Sequence, residues 1–138
     1  MAAPRVFSLA MATRALPLVR SIAADLVRTR AERDALFEQL THADLVERSG
    51  EPAGLFQRIG RLHEAEAELT RELAALGIRV VDPRVGRVVF PARLEGLPGL
   101  LFWRLGQEQI EEWRPIHAGP GLPSAQQQIG RASCRERV

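Results

Sequence analysis

Asp82-Pro83-Arg84-Val85-Gly86-Arg87-Val88-Val89-Phe90-Pro91, followed by Gly96-Leu97-Pro98-Gly99 and Leu101-Phe102-Trp103-Arg104-Leu105-Gly106, sets the architecture of the C-terminal half. Short apolar, β-favouring runs at Ile78 to Val81, Val88 to Phe90 and Leu100 to Trp103 alternate with Pro and Gly, which punctuate strands rather than helices. Asp82-Pro83 with Gly86 is a turn signal: an Asp side chain accepts from the backbone just ahead of it, and Gly tolerates positive φ. The first two runs should therefore pair as an antiparallel hairpin. Gly96-Leu97-Pro98-Gly99 separates the second run from the third, and a fourth, Ile110 to Ile116, reads as either a strand or a helical turn. From Ala118 onward, Gly119, Pro120, Gly121 and Pro123 predict an irregular end.

Toward the N-terminus the period changes to that of a helix. Ala12, Ala15, Leu16, Val19, Ile22, Leu26, Leu36 and Leu40 recur at three- and four-residue steps, marking one helical face, and Ser8 is the natural N-cap. Leu18, Val27 and Phe37 also fall within or beside this stripe, which is wide early and narrow late. Pro17 lies inside the pattern and predicts a kink or restart. The main run extends to about Ser49, and Gly50-Glu51-Pro52 breaks it. Leu55, Ile59, Leu62, Ala65, Leu69, Leu73 and Leu76 then mark a second helix, closed by Gly77. So short a connection makes the helices antiparallel neighbours, with arms of roughly 50 Å and 37 Å. The wide stripe lies opposite Leu69, Leu73 and Leu76, where a sheet should pack, leaving a solvated tip at about residues 42–56.

The last ten residues, Ile129 to Val138, read as translated sequencing adapter and are expected to be non-native. The whole chain holds 19 cations, all arginine, against 17 acids; without the tail's three arginines and one glutamate, 16 of each remain. A neutral chain argues against nucleic-acid binding, which needs clustered excess cations. The tail also contains the one cysteine, Cys134, so the remainder has no thiolate to offer, and a cytoplasmic protein is expected. No apolar run reaches the roughly 20 residues of a membrane span. Residues 1–128 fit one domain, with a helical hairpin at about 9–76 and a sheet at about 78–117.

Chemistry-bearing patterns are sparse. His42, His63 and His117 lack ligand spacing, and His63-Glu64 lacks the second histidine of a zinc helix. No serine stands in a nucleophile elbow, and no glycine-rich loop cradles phosphate. Glu64, Glu66, Glu68 and Glu72 read as a solvated helix face, and Arg28, Arg30 and Arg33 pair with the nearby Glu32 and Asp34. Asp82 reads as a turn cap. Trp103 and Trp113 admit two readings: core anchors of a small sheet, or a ligand surface in which Trp103, Arg104, Gln107, Trp113 and Arg114 take an anionic or aromatic group by stacking and guanidinium hydrogen bonds.

The block Asp82 to Trp113 resembles, without a gap, the signature of a bacterial family, the domain of unknown function 2203. There it looks like D-x-x-x-G-x-V-D-F-P, a turn glycine, L-C-W-R-x-G-E and I-x-x-W-H. Phe7-Ser8, Ala12 and Leu16-Pro17 are similar to the family's opening, so the likeness runs from Phe7 to about Ser124. Asp82, Gly86, Phe90, Pro91, Gly96 and Gly106 are its structural positions here. The chain departs from the pattern at most polar positions: Met11 for an acid, Val89 for aspartate, Phe102 for cysteine, Gln107 for glutamate, Arg114 for histidine and Pro123 for arginine. Val89 and Phe102 can neither titrate nor donate a proton.

These features predict an α+β fold: a long antiparallel helical hairpin packed at its base on a small antiparallel sheet of three or four strands. The expected function is a non-catalytic structural or protein-interaction module acting through the hairpin, with a homodimer or protein partner. Leu62, Leu69 and Leu76 have the heptad spacing that an intermolecular seam would use. The alternative is a small-ligand binder or degenerate enzyme using the Trp103, Arg104, Gln107, Trp113 and Arg114 surface. Neither a catalytic residue nor a metal, cofactor, nucleic-acid or membrane partner is assigned.

Overall fold

Ser8 opens the first helix as a cap: in the computed structural model, which describes residues 6–46 and 52–116, its Oγ accepts the N–H of Met11 at 3.1 Å. Helix α1 then runs unbroken over Leu9–Val46, and α2 spans Pro52–Ala75. Gly50, Glu51 and everything from His117 onward, including Pro123 and the ten-residue tail, lie outside the described residues.

Pro17 does not restart α1. Its missing N–H leaves the Thr13 carbonyl without its helical partner, and both residues are exposed, so water can serve in its place. The stripe also needs two corrections. Leu18 and Phe37 are 52% and 59% exposed, because each sits about 100° around the helix from the buried Val19 and Leu36 beside it.

Gly77, at φ 89°, ends α2: its N–H bonds the Ala74 carbonyl and that of Ile78 bonds the Leu73 carbonyl, both at 2.9 Å. The pairs Arg30–Glu66 and Arg58–Glu32 cross between the helices and confirm their antiparallel course. Glu66 is therefore not part of a solvated face. Its side chain is only 16% exposed, with Arg30 at 3.4 Å and Arg33 at 3.7 Å.

Four strands follow: β1 (Arg79–Asp82), β2 (Arg87–Leu94), β3 (Leu97–Arg104) and β4 (Glu112–Pro115), an antiparallel meander in the order β1-β2-β3-β4. The fourth run is thus a strand. Asp82 Oδ1 accepts the Arg84 N–H at 3.0 Å in the first turn, as expected of a turn cap. Gly86 (φ 68°) closes that turn against α1, where an added Cβ would stand 3.0 Å from Leu105 Cβ and 3.2 Å from Val27 Cγ2.

The second turn is tighter than Gly96 to Gly99. Leu94 pairs with Leu97 around Glu95 (φ 51°) and Gly96 (φ 79°), the two positive φ values of the hairpin turn that matches strand twist. Pro98 and Gly99 belong to β3. Pro91 sits mid-strand at little cost. Its carbonyl, on the same side as its missing N–H, accepts from Phe7 just past the end of β1.

One face of the sheet covers the base of the hairpin. Leu16, Val19, Ile22 and Leu26 of α1 and Leu73 of α2 meet Val88, Phe90, Leu101, Trp103 and Trp113 in a single buried cluster. Phe7 meets Phe90 edge-on at 5.3 Å. Leu36 and Leu40 are buried further along α1, outside that cluster.

Gly99 leaves no room for a side chain: a Cβ there would stand 2.3 Å from Trp113 Cη2 and 2.5 Å from the Arg114 carbonyl oxygen. Gly60, by contrast, has nothing within 4 Å. Gly99→Ala is expected to destabilise the fold by about 2–3 kcal/mol through overpacking, and Gly60→Ala to stabilise it by up to about 1 kcal/mol through helix propensity. Urea unfolding followed by far-UV circular dichroism measures both, and equal effects would contradict this packing.

Candidate functional site

Side chains alternate across a strand, so burying Val88, Phe90, Leu101, Trp103 and Trp113 on the helix side sends their neighbours to the opposite face. Register places Arg79, Val89, Phe102 and Glu112 in one row across all four strands. Arg87 pairs with Arg104 on one side of that row, and Leu100 with Arg114 on the other. Arg93 lies further along β2 on the same face.

The candidate ligand residues are thus divided between the two faces. Trp103 and Trp113 are 1% and 0% exposed and lie in the core. Trp103 Nε1 donates to the Gln107 carbonyl at 3.0 Å, and the Arg20 guanidinium carbon lies 5.9 Å from its ring centroid. Gln107 ties the β3–β4 connection together. Its N–H donates to the Arg104 carbonyl, and its Oε1 accepts the Arg104 N–H at 2.9 Å. Gly106, at φ 105°, supplies the reversal. Arg104 and Arg114 are exposed on the outer face.

Around Phe102 the outer face forms a charged cluster. The guanidinium carbons of Arg87 and Arg114 lie 4.8 Å and 5.1 Å from its ring centroid. Arg87 Nη2 bonds Glu112 Oε1 at 3.3 Å, and Arg114 Nε bonds Glu112 Oε2 at 2.7 Å. Beside them a depression of about 110 Å³ is lined by Arg87, Phe102, Trp103, Arg104, Gln107 and Glu112. Arg87 and Glu112 were not singled out from the sequence. The legible signal was their period-two placement with Val89, Phe102 and Arg114. Val89 and Phe102, two of the departures from the family pattern, are direct cross-strand neighbours. Met11 is exposed in the first turn of α1.

A second candidate surface lies on the hairpin. Phe37 and Phe56, each 59% exposed, line a groove of about 510 Å³ with Arg33, Asp34, Ile59, Gly60 and His63. His63 Nδ1 lies 2.8 Å from Arg33 Nη1, on the same guanidinium that approaches Glu66. His42 is exposed on α1. Among the described residues no group of three or more His, Cys, Asp or Glu is gathered as metal ligands, and no helix is long and apolar enough to cross a membrane.

A model of the family described as "Uncharacterized conserved protein (DUF2203)" matches residues 5–121. No curated protein and no solved structure matches the chain.

Burial of both indoles has a direct optical consequence. Tryptophan emission from the native protein is expected to be blue-shifted and at least about threefold less quenched by acrylamide than in urea, since the quencher cannot reach side chains packed against the helices. Equal quenching in the native and unfolded states would place an indole at the surface.

Proposed function

We propose that this chain, which belongs to the family of uncharacterized conserved proteins DUF2203, is a non-catalytic interaction module that associates through its helical hairpin with a second copy of itself. The observation that carries the reading is the groove at Phe37 and Phe56. Two large aromatic side chains, each 59% exposed, stand together where isolated exposure would need no explanation but adjacency does. The groove also carries charge of both signs, Arg33 and Asp34, which suits a two-fold contact in which each patch meets its own copy.

Non-catalysis is supported by the outer sheet face. Its central row holds Val89 and Phe102, neither able to move a proton, and a single carboxylate, Glu112, bonded by two guanidiniums.

Magnitudes set the strength of association. Covering the exposed part of each phenylalanine contributes about 1–2 kcal/mol, so four of them supply about 4–8 kcal/mol, against an association cost of about 4–15 kcal/mol. The most favourable balance leaves about 4 kcal/mol, so the dimer should be weak, with a dissociation constant of about 1 mM. Sedimentation equilibrium from about 10 µM to about 1 mM is expected to show concentration-dependent dimerisation. Phe37→Ser together with Phe56→Ser should abolish it while changing stability by less than about 1 kcal/mol. A chain that stays monomeric throughout that range would refute the homodimer.

A further inference from the structure

The pairing of Arg87 with Arg104 is a cost that the fold itself does not need. The two are directly opposite in the β2–β3 register, which sets their Cβ atoms about 5 Å apart, and like charges so placed are destabilising. Arg87 is relieved by Glu112, but that carboxylate is shared with Arg114. The guanidinium of Arg104 has no side-chain partner among the described residues, and its backbone N–H is the group held by Gln107. Two guanidiniums, Arg87 and Arg104, and one carboxylate, Glu112, thus line the depression beside Phe102, and with that carboxylate also bonded to Arg114 outside the lining, the charge there is net positive.

We infer that this depression binds a phosphoryl group, seated between the side chains of Arg87 and Arg104. The donors that converge there favour a tetrahedral oxyanion over a planar carboxylate. Each guanidinium presents a fork of N–H groups, and with Gln107 Oε1 turned to the Arg104 N–H, the amide NH₂ of Gln107 is left to donate as well. A carboxylate has only two oxygens to share among these donors, whereas a phosphate dianion has three or more. Phe102 braces Arg87 from below, so the cation is positioned before an anion arrives. Glu112 on the same wall opposes the anion, and its pairing with Arg114 limits that repulsion. The volume, about 110 Å³, suits a single phosphoryl headgroup, with the rest of any ligand lying over the open sheet face.

A diffuse attraction to the arginines of this face would bind anions too, and Arg93 separates the two cases. It lies on the same face but at the far end of β2, donating to the Gly96 carbonyl at 3.1 Å. Arg93→Gln and Arg104→Gln therefore remove the same charge from one face, and only the second touches the proposed site.

The test is titration of the intact chain with inorganic phosphate, followed by two-dimensional NMR at low ionic strength, with acetate as the carboxylate probe and a single-stranded oligonucleotide as the polymer probe. Saturable shifts centred on residues 87, 102–107 and 112 are expected. Phosphate affinity should fall about tenfold in Arg104→Gln and less than twofold in Arg93→Gln, with acetate at least tenfold weaker than phosphate. Equal losses in the two variants, or shifts that never saturate, would overturn the site. Acetate binding as tightly as phosphate would overturn the phosphoryl assignment. An oligonucleotide binding more tightly per phosphate, and weakened equally by both variants, would show a polyanion surface instead and refute the proposal.

Discussion

The apolar stripe at the base of α1 cannot face water, and a sheet of four short strands hides it. Ala12, Leu16, Val19, Ile22, Ala23 and Leu26 are all below 9% exposed. The sheet meets them with Val88, Phe90, Leu101 and the two tryptophans, which supply the width that short strands lack. The Trp113 ring can lie over Gly99 on the neighbouring strand because Gly99, which pairs with Pro115, carries no side chain. Each fully buried apolar side chain contributes about 1.5–3 kcal/mol, whereas an exposed ion pair contributes about 0–1 kcal/mol. Stability therefore resides at the base, and the ion pairs along the arm serve mainly to align the helices.

Beyond the sheet the hairpin has to be held by other means. Leu36 and Leu40 continue the buried seam, and Arg30, Arg33 and Glu66 fill a partly enclosed ionic contact between the helices. Breaking that contact would leave a charge in a poorly solvated setting, so it fixes register more than it adds stability. The arm that results presents exposed aromatic side chains at Phe37 and Phe56, away from the sheet whose outer face carries the arginines. Two surfaces of different chemistry follow from one division of labour: the core uses a single face of each element and leaves the other to water.

Much of the architecture was legible because it rests on periodicity. The change from three- and four-residue steps to short runs broken by Pro and Gly near Gly77 marked both the hairpin and the sheet, and Asp82 with Gly86 marked the first turn. What was not legible depended on which way a residue faces. Phe37 looked like a stripe residue from its spacing, but a rotation of about 100° puts it outside. Glu66 looked like its neighbours Glu64 and Glu68, but the packed first helix sets Arg30 and Arg33 beside it. Pro17 looked like a break because the exposure that makes it tolerable is set by packing, not by local sequence. On the sheet, the Trp103, Arg104, Gln107, Trp113 and Arg114 grouping followed chain proximity. Strand alternation sends the two tryptophans inward and the two arginines outward, and Gln107 to the turn, while Arg87 and Glu112 complete the outer cluster from other strands.

The central claim is that the base of α1 and the sheet form one cooperative unit, with the tryptophans as its filling. Native-state hydrogen exchange reads this most directly. Amides of Leu16 to Leu26 in α1 and of the central strands β2 and β3 should exchange only through the same global opening, with matching free energies and matching dependence on denaturant. Slow exchange in the strands alongside faster, independent exchange at Leu16 to Leu26 would show that the helix does not depend on the sheet, and would contradict the account.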